Sequence, residues 1–198
     1  MQYLSESINL TVSEFTAFEV LSNPELILRL SPYWSLKGFK SLSDSPIREG
    51  SRSEATIEYY GKEVTETHGL EITEILKNKK ISLRVANGVL KELTFVIEKN
   101  NEGIRLTHQF LIDSDDEALL KGTQTELRFW LRSIGEYLKI AGGKTLWRRF
   151  FKWFMDKIWL RLSLPERKIA IIITKISILE LVLLIILVII WNLFIKQE

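Results

Sequence analysis

Three side chains that can hydrogen-bond or transfer a proton share the apolar side of two expected strands. His68 has the same strand parity as Leu70, and His108 has the same parity as Phe110. Glu66 shares the parity of His68. If the strand register holds, all three groups point into the interior, where they can bond the polar group of a ligand, order water or handle a proton.

A simpler interpretation is that each histidine is satisfied by a backbone carbonyl or a hydroxyl, or lies at a wet cavity mouth. A one-residue bulge would also reverse the facing of every residue beyond it. A metal site would need at least three convergent ligands, and acid-base catalysis of the cyclase or hydratase type would need a proton acceptor at the right distance. We therefore expect no metal and no other cofactor.

Several other kinds of site are excluded by composition and motif. The 198 residues include no cysteine, so a disulfide framework, a thiolate metal site and a cysteine nucleophile are ruled out. Phosphate-loop and dinucleotide fingerprints are absent from the sequence, as is the nucleophile-elbow pattern. The sequence favours a binding protein over an enzyme.

The elements that must hold the polar side chains begin with a strand and two short helices. Residues 3–10 predict the strand. Ser13 is a suitable N-cap for a helix over 14–21, and Pro24 favours a second helix over 25–30.

The middle of the chain predicts an antiparallel meander. Turn signals such as Tyr60-Gly61 and Asn87-Gly88 separate stretches in which apolar and polar residues alternate. These stretches are 53–59, 64–72, 81–85, 93–97 and 104–112. Residues 119–140 then predict a long amphipathic helix, which must cover the apolar face of the sheet. The predicted fold class is α+β, with a curved antiparallel sheet wrapped around this helix.

The order of these elements resembles the helix-grip arrangement of the START and polyketide cyclase-like (SRPBCC) superfamily. The opening segment ESINLTVSEFTAFEVLSNPELILRLSPYW is similar to the usual entry into that fold, and the resemblance covers roughly residues 2–140. It implies an elongated cavity between sheet and terminal helix for lipids, sterols, quinones, polyketides or other hydrophobic molecules. It implies no single reaction, because most members bind or carry and only some catalyse.

The candidate cavity residues are those expected to face this space from the sheet or from the long helix. They are Tyr59, Glu66, His68, Leu70, Leu83, Phe95, His108, Phe110, Leu127, Trp130, Leu131 and Ile134.

The C-terminal part of the chain predicts a single transmembrane helix. Residues 169–195 are almost wholly apolar, and only the short tail 196–198 follows. A bilayer core needs roughly 20 apolar residues in a helix, which 176–195 supply. The alternative is a buried core helix, but such helices are seldom apolar on every side over this length.

The distribution of charge predicts the orientation of this span. Residues 1–143 carry 17 basic and 21 acidic side chains, whereas 144–198 carry 10 and 4. Eight of the basic residues lie within 144–168, just before the span. Because loops rich in Lys and Arg remain on the cytoplasmic side, we expect the N-terminal domain, 1–143, to be cytoplasmic.

The segment 144–168 is also aromatic and amphipathic, which predicts a helix in the lipid headgroup layer. The expected interfacial residues are Trp147, Arg148, Arg149, Phe150, Phe151, Lys152 and Phe154. The alternative is that the aromatic residues extend the last domain helix over its own core. A nucleic-acid site is not expected, because the basic cluster adjoins the membrane and the rest of the chain is acidic.

Glu180 is the one acidic residue inside the expected span. It is a candidate contact for another membrane protein, with a protonated or interface-level carboxyl as the simpler interpretation. Taken together, the sequence predicts a membrane-tethered binding or carrier protein for a hydrophobic small molecule or lipid. An enzyme that uses the histidines and Glu66, and a non-catalytic scaffold for a partner complex, are the alternatives.

Overall fold

Seven antiparallel strands form one sheet in the computed structural model, which describes residues 1–43, 47–59, 64–143 and 145–195. The sheet order is β1-β7-β6-β5-β4-β3-β2. The strands are β1 (Gln2–Leu10), β2 (Trp34–Ser41), β3 (Arg52–Tyr59), β4 (Thr65–Leu76), β5 (Lys80–Ala86), β6 (Leu90–Asn100) and β7 (Gly103–Ile112). The turn expected at Tyr60-Gly61, the basic residue Lys144 and the tail 196–198 lie outside the described residues.

Two short helices connect β1 to β2, as the sequence predicts. Ser13 caps α1 (Glu14–Leu21) by accepting a hydrogen bond from the Thr16 N–H at 3.1 Å. Asn23 caps α2 (Pro24–Arg29) by accepting from the Leu26 N–H at 3.1 Å, and the proline occupies the first turn, where its missing N–H does no harm.

The strand β2 was not among the expected period-two stretches. Its register against β3 shifts between Leu36 and Gly38, so the buried and exposed residues do not alternate along it. A comparable shift in β4 falls between Ile72 and Glu74. Because that shift lies beyond His68, the parity of His68 with Leu70 is preserved.

The long helix α3 (Glu117–Ala141) packs its apolar stripe against the concave face of the sheet. Leu127, Trp130, Leu131 and Ile134 are all buried on this stripe. Gly135 allows the close approach of α3 to β1, because a Cβ there would lie 3.3 Å from side-chain atoms of both Ile8 and Leu10. The apolar core therefore lies between the sheet and α3, with α1 and α2 closing one side of it.

The helix α4 (Leu146–Lys157) and a 3-10 turn (Trp159–Arg161) complete the compact unit Met1–Arg161. A second unit begins at Leu162 and contains α5 (Leu164–Ile195). Glu166 caps this helix, since its carboxylate accepts hydrogen bonds from the Ser163 N–H at 2.6 Å and the Ser163 hydroxyl at 2.8 Å.

Within Pro165–Asn192 of α5, an 18-residue window has a mean hydropathy of 2.8, and none of that window is buried. Within the described part of the chain, α5 is the one helix long and apolar enough to cross a bilayer. α5 begins at Leu164, and Pro165 lies in its first turn, where a proline is tolerated because the N–H it lacks would have no partner within the helix.

Candidate ligand-binding site

His108 lies in the centre of β7 with no exposed surface. Its ring stacks on Phe95 with ring centroids 4.2 Å apart, and it meets the rings of Phe110 and Trp130 edge-on at 4.8 and 5.0 Å. Neither ring nitrogen has a hydrogen-bond partner within the described part of the chain. Burial lowers the pKa of His108 to about 3, so the imidazole is neutral at physiological pH.

His68, on β4, is buried but fully hydrogen-bonded. Its Nδ1 lies 3.0 Å from the Asn87 carbonyl oxygen, and its Nε2 lies 3.3 Å from the Tyr59 hydroxyl. Asn87 adopts a left-handed backbone conformation with φ of 64° in the β5–β6 turn, which brings its carbonyl to the histidine. The simpler interpretation, a histidine satisfied by neighbouring groups, therefore describes His68.

Glu66 lies near His68, with its side chain half exposed and a carboxylate oxygen 3.3 Å from Nε2. Burial raises the pKa of Tyr59, and the carboxylates of Glu66 and Glu126 raise it further, so Tyr59 is a neutral donor. His108 is held apart from this group, because β5 and β6 separate β4 from β7 in the sheet. Among the described residues no group of three or more metal-ligating side chains is arranged to hold a metal ion.

The remaining candidate residues on the sheet and on α3 pack against one another in the core. Leu70, Leu83, Phe95, Phe110, Leu127, Trp130, Leu131 and Ile134 are all buried. Between Leu83, Leu93 and the underside of α2 lies a cavity of about 10 Å³. That volume holds about one water molecule, so side chains nearly fill the space between α2 and these two strands.

The helix α2 supplies cavity residues that the sequence analysis missed. Pro24, Ile27 and Leu28 line the small cavity from the side opposite the sheet. Two indole N–H groups donate to its last turn, Trp130 to the Ile27 carbonyl at 3.0 Å and Trp34 to the Leu28 carbonyl at 3.1 Å. The signal in the sequence was the apolar pair Ile27-Leu28, which a six-residue helix has to bury.

Solved structures match this architecture across most of the chain. The protein NE0264 from Nitrosomonas europaea is 15% identical with a TM-score of 0.56, and the match covers 69% of this chain and 94% of that one. The Aha1 dimer from Colwellia psychrerythraea is 15% identical with a TM-score of 0.52, over 72% and 100% of the two chains. Ara h 8.0201 is 15% identical with a TM-score of 0.52, over 69% and 97%.

The chain has the helix-grip fold. These matches confirm the fold predicted from the order of elements, and at this level of identity the likeness concerns the fold alone. No protein-family model matches the chain, and no curated protein matches it.

The helix α4 is attached to the helix-grip domain by its polar face. The Tyr137 hydroxyl, on the buried side of α3, donates to Asp156 Oδ1 at 2.5 Å, and Lys152 Nζ lies 2.7 Å from Asp156 Oδ2. Burial raises the pKa of Tyr137, and the hydrogen bond to Asp156 raises it further. The tyrosine is therefore a permanent donor that fixes the side of α4 facing the domain.

The opposite side of α4 faces outward and is apolar. Trp147, Phe150 and Phe151 are 72%, 52% and 47% exposed. We call this side the aromatic face; its members are Leu146, Trp147, Phe150, Phe151 and Trp153. Arg148 and Arg149 are also exposed, whereas Phe154 is half buried beside Trp159, with ring centroids 6.4 Å apart. The aromatic residues of α4 therefore do not extend α3 over the core, whereas Trp159, in the 3-10 turn, does pack against it.

An open groove of about 460 Å³ lies between the α1–α2 pair and the polar side of α4. Its walls carry the ion pair of Arg29 with Glu25 at 2.8 Å and that of Lys152 with Asp156. Apolar ligands favour sites lined by hydrophobic and aromatic side chains. The groove is thus a poorer site for a hydrophobic molecule than the interior beneath α2.

Replacing Tyr137 by phenylalanine should loosen α4 from the domain. We expect Tyr137→Phe to lower the free energy of unfolding by about 1.5–3 kcal/mol, the range for a hydrogen bond to a charged group. Urea unfolding measures the loss, and hydrogen exchange should rise in 146–157 more than in the sheet. Tyr33→Phe is the matched control, since the Tyr33 hydroxyl makes no hydrogen bond within the described part of the chain. Equal exchange in the two variants would contradict the attachment.

Proposed function

We propose that this protein is a membrane-tethered binding or carrier protein for a hydrophobic small molecule or lipid, held between the sheet and α3. The observation that carries the proposal is the orientation of α4. Its polar side is hydrogen-bonded to the domain, and its aromatic face is exposed and free to contact lipid. An exposed apolar surface of this kind is typical of a membrane or protein contact.

Membrane attachment then has two parts. The apolar helix α5 spans the bilayer, and the aromatic face of α4 lies in the headgroup layer with Arg148 and Arg149 close to anionic lipid. The excess of Lys and Arg before α5 supports a cytoplasmic location of the helix-grip domain in this proposal. Glu180 lies within α5 and is a candidate contact for a partner helix.

Ligand entry requires the interior to open, and α2 is the element best suited to move. It has only six residues, and its last turn is held by the indole hydrogen bonds of Trp34 and Trp130. Displacing α2 would uncover the apolar residues Leu83 and Leu93 without unpairing any strand. A hydrophobic molecule that enters there replaces the contacts that α2 leaves.

Binding is favoured over catalysis because the polar residues of the interior are poorly suited to proton transfer. A histidine with a pKa of about 3 is a weak base at neutral pH. Glu66 and His68 lie together, but Glu66 is half exposed, and the two ring nitrogens of His68 are engaged by the Asn87 carbonyl and the Tyr59 hydroxyl.

The test is to purify the full chain from membranes in lipid nanodiscs, extract it with organic solvent and identify the extracted molecules by mass spectrometry. The matched control is segment 162–198 in the same nanodiscs, which carries α5 without the helix-grip domain. We expect at least one hydrophobic molecule to be enriched with the full chain at close to one per protein. Identical extracts from the two preparations would contradict the proposal.

A further inference from the structure

His108 differs from three other buried polar side chains of the sheet. His68, Ser82 and Thr94 are buried too, yet each has a hydrogen-bond partner. Both nitrogens of His108 lack one within the described part of the chain. A buried donor and acceptor without partners are energetically unfavourable. The two nitrogens of His108 therefore indicate that a bound molecule forms the missing hydrogen bonds.

The surroundings of His108 restrict what that partner can be. The ring is enclosed by the faces and edges of Phe95, Phe110 and Trp130. On the neighbouring strand β1, the residue paired with His108 is the charged Glu6. Its carboxylate is already bound by Gln124 at 2.8 Å and Arg128 at 3.0 Å on α3.

Within the described part of the chain, the charged pair directly across from His108, Glu6 with Arg128, is already engaged, so a charged ligand group there would lack a free counter-charge. Arg128 Nη2 lies on Glu6, and the faces around the imidazole are aromatic. Burying an unpaired ion is far more costly than burying a neutral polar group. The site thus discriminates against phosphate, carboxylate and ammonium groups.

We infer that the ligand of the helix-grip interior is a neutral, largely apolar molecule whose single hydroxyl or carbonyl group hydrogen-bonds to His108. A neutral imidazole has one donor and one acceptor nitrogen, so it can serve a hydroxyl through either role and a carbonyl through its N–H. This inference rests on the proposed function, since it names the class of molecule that the interior would bind.

The geometry provides a route from the small cavity to His108. Leu93 lines the cavity and lies two residues before Phe95 on the same face of β6. Ile27 lines the cavity from α2, and its carbonyl holds the Trp130 indole, whose ring contacts His108. Movement of α2 therefore enlarges the cavity and releases Trp130 in one step.

The experiment uses the full chain in amphipol and three probes that differ only in one substituent: 2-naphthol, 2-methylnaphthalene and 2-naphthoate. Titration calorimetry on the wild type should show 2-naphthol binding about tenfold or more tightly than 2-methylnaphthalene, with 2-naphthoate weakest. His108→Phe should weaken 2-naphthol binding roughly tenfold to one-hundredfold, the effect of one lost hydrogen bond in a dry site. The 2-methylnaphthalene affinity should stay unchanged.

Leu106→Val is the matched control, because Leu106 is equally buried on the same face of β7 and has no polar group. It should leave the preference for the hydroxyl probe intact. The nitrogen chemical shifts of the His108 ring should also move on addition of 2-naphthol and not of 2-methylnaphthalene.

The outcomes separate this inference from the proposed function. Equal affinities for 2-naphthol and 2-methylnaphthalene, unchanged in His108→Phe, would overturn the role of His108 and leave hydrophobic binding intact. Tighter binding of 2-naphthoate would overturn the neutral class of ligand. If the wild type binds none of the probes, the inference fails, and the solvent extraction decides separately whether the proposed function fails with it.

Discussion

A chain that ends at Arg161 is expected to leave the integral membrane fraction and still to bind anionic vesicles. The truncation removes α5, whose apolar length can span a bilayer, and keeps the aromatic face of α4 within the compact unit Met1–Arg161. Alkaline carbonate extraction of the full chain, and cosedimentation of the truncated chain with phosphatidylserine vesicles, measure the two parts of the attachment.

The vesicle binding of the truncated chain should depend on the aromatic face. Changing Trp147, Phe150 and Phe151 together to serine should weaken it by about one-hundredfold, since three half-exposed aromatic side chains contribute roughly 3 kcal/mol on entering lipid. The matched control changes Tyr3, Phe15 and Phe129, which are also exposed aromatic residues, to serine. An equal loss in both variants, or release of the full chain by carbonate, would argue against the proposed attachment.

The strands show how far periodicity alone can take a prediction. β7 itself has no bulged residue and pairs with β1 without a shift, so the alternation of Leu106, His108 and Phe110 in the sequence is also the alternation in the fold. β2 was not recognised because of its bulge near Gly38. The alternation of inward and outward side chains reverses at the bulge, so no single period-two pattern runs along the strand. Period-two reasoning therefore works between bulges and fails across them.

The helix α4 shows a different limit. Helical periodicity separated Lys152 and Asp156 from the aromatic residues, but it did not say which side faces the domain. That choice depends on Tyr137, a buried hydroxyl on another helix that needs an acceptor. No local pattern in 144–168 contains this information.

The two histidines have the same sequence signature and different environments. Both ring nitrogens of His68 are hydrogen-bonded, one to the Asn87 carbonyl and the other to the Tyr59 hydroxyl, and these partners lie on another strand and in a turn. His108 lies against the rings of Phe95, Phe110 and Trp130, and its ring nitrogens have no hydrogen-bond partner among the described residues. Parity predicts that a side chain points inward, but its partners are set by tertiary packing between residues distant in sequence.

His108→Phe is expected to raise the stability of the compact unit, and by more at acid pH. At pH 7 the substitution removes two unpaired buried nitrogens, which should raise the free energy of unfolding by about 1–3 kcal/mol. A phenylalanine ring can keep the stacking against Phe95.

The pH dependence follows from the difference between the folded and unfolded pKa of His108. Burial lowers its folded pKa to about 3, whereas in the unfolded chain it takes up a proton near its ordinary value of 6.5. The unfolded state therefore binds more protons between these two pH values. As a result, the free energy of unfolding of the wild type is unaffected by this group above pH 6.5 and decreases as the pH falls towards 3. At pH 4 the wild type should have lost about 3 kcal/mol through this group.

The advantage of His108→Phe over the wild type should accordingly grow by about 3 kcal/mol between pH 7 and pH 4. Urea unfolding of residues 1–161 across this pH range measures the difference. Carboxylates such as Glu6, whose pKa is lowered by the Gln124 hydrogen bond, also make stability depend on pH, but their contributions cancel in the comparison because both proteins retain them. Leu106→Val should shift the curve without changing its slope. Parallel curves for the wild type and His108→Phe would mean that His108 is accessible to protons in the folded state, and hence that the interior is already open to water.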